Sequence, residues 1–236
     1  MPQVHERKTG PPKTQRVIFG VGSAAHLGDA AARAGTRALL VTDAGVRAAG
    51  HADVCERALR DAGLDVLVYD AVPRDPRRSD ARELGMHAKR FNPDLVVAIG
   101  GGSAIDCAKG GVLALTQPTG LDDRHGRIQL ERATLPIIAI PTTAGTGSEC
   151  QSAALLSDDA TSQKRAVLAP GLLPMLALLD PSFTASQPED VALAGGLDAV
   201  AHGIEAAVTK AQTGRSRRIA LAALRLVLPH IERALD

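Results

Sequence analysis

Short apolar runs recur along the chain, separated by segments whose apolar residues fall at helical spacing. Arg16–Phe19, Ala38–Thr42, Val66–Tyr69, Leu95–Ile99 and Leu135–Ile140 predict strands. Ala24–Ala34, Val54–Ala62 and Arg77–Arg90 carry the helical pattern and end near Gly35, Gly63 and Asn92-Pro93, where a helix is readily stopped. Strands alternating with helices at this interval predict βαβ units and a parallel sheet. Ligands of such sheets bind at the carboxyl ends of the strands, where Asp43, the Gly100 turn and the Thr142 turn fall. After Asp180-Pro181 the strand pattern stops. Val191–Lys210 and Arg215–Leu235 have apolar residues at helical spacing, and Pro181–Pro188, with a proline at each end, reads as a linker. The predicted fold is α/β: a parallel-sheet domain over residues 1–181, then an all-α region over residues 182–236 that begins a second domain.

Composition narrows the function classes. The chain has 236 residues, 45% of them hydrophobic, enough to bury a sizeable core in one domain or two. Its 27 basic and 26 acidic residues leave a net charge of +1, so no global field draws it to nucleic acid or to an anionic membrane. With no Trp, one Tyr and three Phe it offers few stacking platforms for bases, and no nucleic-acid partner is expected. Met1–Lys13 is polar, and no run reaches the roughly 18 uninterrupted apolar residues of a membrane helix. The expectation is a cytoplasmic protein with no membrane partner. Cys55, Cys107 and Cys150 form no CxxC pair and read as reduced thiols.

The chemistry concentrates in three segments. Ala98–Lys109 runs from a strand through Gly100, Gly101 and Gly102 into a helix opened by Ser103, a geometry that aims free backbone N–H groups at an anion. Ile140–Glu149 places Thr142, Thr143 and Thr146 on a tight turn after another strand. Gly195–Glu205 puts Asp198 and His202 four residues apart on one side of a helix, as a hydrogen-bonded polar pair or as two donors to a divalent metal. Asp43 reads either as a helix N-cap or as a carboxylate that accepts from the ribose hydroxyls of NAD and repels the 2′-phosphate of NADP. Arg47 nearby leaves NADP open. Asp106 and Lys109 pair on the first helical turns, where support of the glycine turn and direct cofactor contact are both open.

Gly100-Gly-Gly-Ser-x-x-Asp-x-x-Lys109, Pro141–Glu149, Asp180-Pro181 and Gly196-x-Asp-Ala-x-x-His-x-Ile-Glu205, in this order and at these intervals, resemble the iron-containing (group III) alcohol dehydrogenases. The resemblance implies an amino-terminal dinucleotide-binding domain, a helical second domain, and a cleft between them for NAD or NADP and a divalent ion, Fe(2+) or Zn(2+). It implies that Gly101, Gly102 and Ser103 hold the pyrophosphate. It further implies that Thr142, Thr143 and Thr146 line the adenine and nicotinamide sides, that Lys164 approaches a ribose, and that Asp198 and His202 are metal ligands. The implied reaction is hydride transfer between a small alcohol or aldehyde and nicotinamide, in a homodimer. Lys164 read by itself is an exposed loop lysine, and Glu149 and Glu205 have supporting hydrogen-bonding roles. No role falls to His5, His26, His51, His87, His125 or His230.

The family's metal site has one aspartate and three histidines, and two of those histidines would lie beyond Asp236. The expectation is an incomplete metal site, explained by a gene fragment, a shortened homologue or ligands from another chain, the first being preferred. Cys150–Ala154 departs from the family pattern on the nicotinamide side, and Ile219–Leu228 would present an apolar face to a partner or to further sequence. If the ligands are missing for good, the chain is a nucleotide-binding module without catalysis.

Overall fold

The computed structural model describes residues 15–121 and 125–231. Met1–Lys13 and the end of the predicted Arg215–Leu235 helix lie outside them. Among the described residues nine strands are formed: β1 Arg16–Phe19, β2 Arg37–Val41, β3 Asp65–Tyr69, β4 Leu95–Gly100, β5 Gly126–Arg127, β6 Ile137–Pro141, β7 Ala153–Ser157, β8 Lys164–Leu168 and β9 Leu176–Leu179. Seven α-helices accompany them: α1 Leu27–Ala32, α2 Ala44–Ala48, α3 His51–Asp61, α4 Arg78–Lys89, α5 Gly102–Thr116, α6 Glu189–Val208 and α7 Gly214–Val227.

Six strands form one sheet in the order β1-β9-β6-β4-β2-β3, every pair parallel. Side chains alternate faces along a strand, so the sheet builds two cores. Leu39, Val41, Val96, Ala98, Ile137 and Ala139 point to one face and pack with Ala81 and Leu84 of α4 and Ile105 and Val112 of α5. Ala38, Leu40, Val97, Ile99, Ile138 and Ile140 point to the other and meet Leu27 of α1 and Cys55 and Leu59 of α3. All six residues of β4 are buried, as a strand covered on both faces requires. The helix pattern was right in kind and shifted at its ends. A 3-10 turn at Ser23–His26 precedes α1, and Gly50, with φ 79°, separates α2 from α3, so that α3 starts before Val54.

Four strands that the apolar pattern does not predict complete the fold. β9, Leu-Ala-Leu-Leu, reads equally as a helix turn; it is a strand because it fills the slot between β1 and β6. β7 and β8 pair antiparallel around a turn in which Asp158 accepts hydrogen bonds from the Ala160 and Thr161 N–H groups, and β5 adds to β8 in parallel. Lys164 therefore opens a strand rather than sitting in a loop.

Beyond β9 a 3-10 turn at Pro181–Phe183 leads to α6, which packs on α7 where Gly203 meets Leu224. Both helices keep apolar residues exposed, among them Leu193, Leu197, Ile204 and Val208 on α6 and Ile219, Leu221 and Leu226 on α7. By length and composition α6 is also long and apolar enough to cross a membrane, which a count of uninterrupted apolar residues overlooks.

Candidate cofactor-binding site

The chain leaves β2 toward β3 on one side of the sheet and leaves β4 toward β6 on the other, so a crevice opens between the carboxyl ends of β2 and β4. Gly100 ends β4 with φ 148°, a conformation open to glycine alone, and a β-carbon there would strike Ala104 and approach Asp43 Oδ2 at 3.1 Å. Gly101 follows in extended conformation, and α5 begins at Gly102 with no side-chain cap. Its 15 residues therefore present unpaired N–H groups and the positive end of the helix dipole to the crevice.

The threonine turn leaves β6 and folds onto this glycine turn. A β-carbon on Gly101 would come within 3.3 Å of Thr143 Oγ1, and one on Gly102 within 2.9 Å of the Thr146 methyl. On its other side the turn touches α6, where a β-carbon on Gly145 would strike the Gly195 backbone and one on Gly195 the Ala144 carbonyl. The three segments found in the sequence thus meet at one place. A cavity of about 750 Å³ lies between them, lined by Asp43, Gly101, Gly102, Ser103, Asp106, Thr142, Thr143, Thr146, Lys164, Asp198 and His202. Gly100 supports its wall beside Asp43.

Asp43 fulfils the cap reading: Oδ1 accepts from the Val46 N–H at 3.0 Å, while Oδ2 lies against the glycine turn. Arg47 is engaged elsewhere, at 3.0 Å from Glu56 and 3.2 Å from Asp53, and the hydrogen bond to Glu56 raises its pKa. Ser103 Oγ accepts from the Asp75 N–H at 3.4 Å, and the Asp75 carboxylate pairs with Lys164 across the cavity mouth. Asp106 is buried; Oδ2 accepts from the Leu155 N–H, and Oδ1 has no hydrogen-bond partner among the described residues. Burial pushes the Asp106 pKa up, against the opposing pull of Lys109.

A dinucleotide fits these residues, since the glycine cradle has no room for β-carbons and the N–H groups of α5 face the space left. A metal does not fit in the same way. His202 Nδ1 lies 3.1 Å from the Gly145 carbonyl oxygen, a bond that places the proton on Nδ1, and 3.8 Å from Asp198 Oδ1. Among the described residues no third His, Cys, Asp or Glu joins them, so Asp198 and His202 supply part of a coordination shell only. The thiols do not help: burial pushes Cys55 and Cys107 up to about 12 and Cys150 up to about 11, keeping all three protonated at neutral pH.

The family model described as iron-containing alcohol dehydrogenase matches residues 14–181. The chain belongs to the iron-containing alcohol dehydrogenases. It is similar to the NAD-dependent methanol dehydrogenase of Bacillus methanolicus, 34% identical over 218 residues that cover 92% of this chain and 57% of that one. The 1,3-propanediol dehydrogenase of Citrobacter freundii is 34% identical over 85% of this chain and 52% of its own length. Among solved structures, a 1,3-propanediol oxidoreductase superposes with a TM-score of 0.89 at 31% identity, over 98% of this chain and 60% of that one. The chain thus spans about half the length of the curated relatives it matches.

Several cavity residues of this family member carried no sequence signal. His51 faces the cavity from the start of α3, 2.6 Å from Ser186 Oγ and with its ring 4.7 Å from that of Phe183. Val72–Pro76 lines it as well, and so does Gln187, whose buried Oε1 has no hydrogen-bond partner among the described residues. These groups come from the connections after β2, β3 and β9, and no motif links them to the glycine turn along the chain.

Proposed function

We propose that this chain is the cofactor-binding part of an NAD(H)-dependent alcohol dehydrogenase, acting on a small alcohol or aldehyde, with residues 1–181 as the dinucleotide-binding domain and residues 182–236 opening the helical one. The observation that carries the reading is the junction of the glycine turn, the threonine turn and the free N-terminus of α5 at one cavity. In it the pyrophosphate sits on the N–H groups of Gly101, Gly102 and Ser103, where the helix dipole favours negative charge. Asp43 Oδ2 accepts from the adenosine ribose, the Thr142, Thr143 and Thr146 hydroxyls orient the cofactor, and Lys164 approaches its ribose. Preference for NAD over NADP follows from Asp43 and from the engagement of Arg47 by Glu56 and Asp53, which withholds that guanidinium from a 2′-phosphate.

When bound, the nicotinamide supplies the hydride chemistry that interconverts alcohol and carbonyl. The relatives named for methanol and 1,3-propanediol support a small primary alcohol as substrate. Asp198 and His202 face the same cavity and would contribute two donors to the family's ion, fewer than are needed to enclose it. A cytoplasmic homodimer belongs to the same reading.

Calorimetric titration of NADH into the purified chain tests it. Wild type is expected to bind, and Gly101→Val, which drives a branched side chain into Thr143, is expected to abolish binding in a folded protein. Unchanged affinity in the variant rejects the site.

A further inference from the structure

Lys109 has no part in the reading above, yet its placement is unusual for a lysine. It lies in the second turn of α5 with its side chain fully buried. Nζ donates to three backbone carbonyls, those of Ser148 at 2.6 Å, Gln151 at 2.9 Å and Ala153 at 2.7 Å. An ammonium has three N–H bonds, and these three carbonyls use them all. Asp106 Oδ1 stands farther off at 3.6 Å, a contact of charge alone. The carbonyls belong to the stretch that carries the threonine turn into β7, and one turn earlier on the same helix Asp106 Oδ2 holds the Leu155 N–H. The helix whose first residue is Gly102 therefore grips the far end of the threonine turn from inside the protein. Lys109 does not line the cavity, which separates it from a cofactor ligand.

We propose that Lys109 is a positioning residue for the cofactor: its buried ammonium fixes the threonine turn against the glycine turn at the spacing a bound dinucleotide needs. The inference rests on the cofactor reading above. It requires the charged form. A neutral amine keeps two donors and turns a lone pair toward a carbonyl, which loosens the tie. Burial pushes Lys109 below its ordinary range, while Asp106, Glu149 and Cys150, the titratable groups that face it, push back. NADH binding that depends on the tie must, by linkage, strengthen the hold on this proton. NADH affinity therefore falls as pH rises through the lowered Lys109 value. Over the same range the contribution of this group to fold stability rises, because the unfolded lysine, with a pKa of 10.5, binds more protons than the folded one. A lysine serving stability alone would not weaken NADH binding there.

The test is calorimetric titration of NADH across the alkaline range for wild type and Lys109→Met, with the fold of each checked by urea unfolding. Wild type is expected to lose affinity toward high pH. Lys109→Met is expected to bind at least about tenfold more weakly at neutral pH, the scale of one lost buried hydrogen bond, and to lack the alkaline fall that Lys109 causes. Equal affinity of the two proteins at every pH overturns the proposal and leaves the cofactor site standing. Failure of wild type to bind NADH at neutral pH overturns both. Should Lys109→Met not fold, the wild-type protein decides: the Lys109 ¹³Cε resonance is expected to titrate at higher pH with NADH than without, and an unshifted titration overturns the proposal.

Discussion

Asp43 carries a structural and a proposed functional reading on its two oxygens. Its Oδ1 caps α2 and its Oδ2 faces the glycine turn, so the cap leaves the second oxygen free for the ribose contact proposed above. Asp43→Asn keeps an acceptor for the Val46 N–H and removes the charge. Its expected outcome is a folded protein with a smaller ratio of NAD to NADP affinity, read by titrating both cofactors; an unchanged ratio removes Asp43 from discrimination. Asp43→Ala in addition loses the cap and costs about 1 kcal/mol of stability. Glycines and threonines were legible from sequence because tight turns and close backbone approach restrict residue type. His51 was not, since a histidine at a helix start has no such signature and meets Phe183 only through the folded chain.

At the scale of elements, β4 and α5 were readable because an apolar run followed by glycines and an apolar helix permits few alternatives. β7, β8 and β9 were not: Ala-Ala-Leu-Leu and Leu-Ala-Leu-Leu carry no period long enough to tell strand from helix, and their sheet neighbours decide. The contact of α4 with α5 relies on small residues. A β-carbon on Gly111 would meet Leu84 Cδ2 at 2.6 Å, and one on Gly85 would meet the Ala114 β-carbon at 2.8 Å. Gly111→Val is expected to force the helices apart and destabilise the protein by about 1–3 kcal/mol, measured as a lower urea midpoint. Because α5 carries both the glycine turn and Lys109, the same variant is expected to weaken NADH binding. A variant as stable as wild type would show that the interface tolerates the added volume.

For the molecule as a whole, Asp180 ties the end of β9 to the entry of α1. It is buried, and its oxygens accept from the Ala24 N–H at 3.1 Å and from the Ser182 N–H and hydroxyl at 3.1 and 2.7 Å. Burial pushes its pKa up, but the hydrogen bonds prevail and hold it below the ordinary 3.8. Its contribution is thus complete above that value and is lost as pH falls through the lower folded value. Asp180→Asn is expected to be less stable at neutral pH, with the difference from wild type narrowing in acid; a difference constant with pH in urea unfolding would contradict this. The family division into sheet and helices could be read from the chain, whereas the full set of metal donors could not, because Asp198 and His202 find no third donor among the described residues. The sheet order has a consequence for biosynthesis. β1 emerges from the ribosome before the other described strands, and among the described residues its sheet neighbour is β9, with Arg16 opposite Leu176. Among the described strands, β1 must therefore wait for this partner until nearly all of the sheet has been synthesised, so a nascent chain stalled before β9 would display an open edge for chaperones or for its own copies to capture.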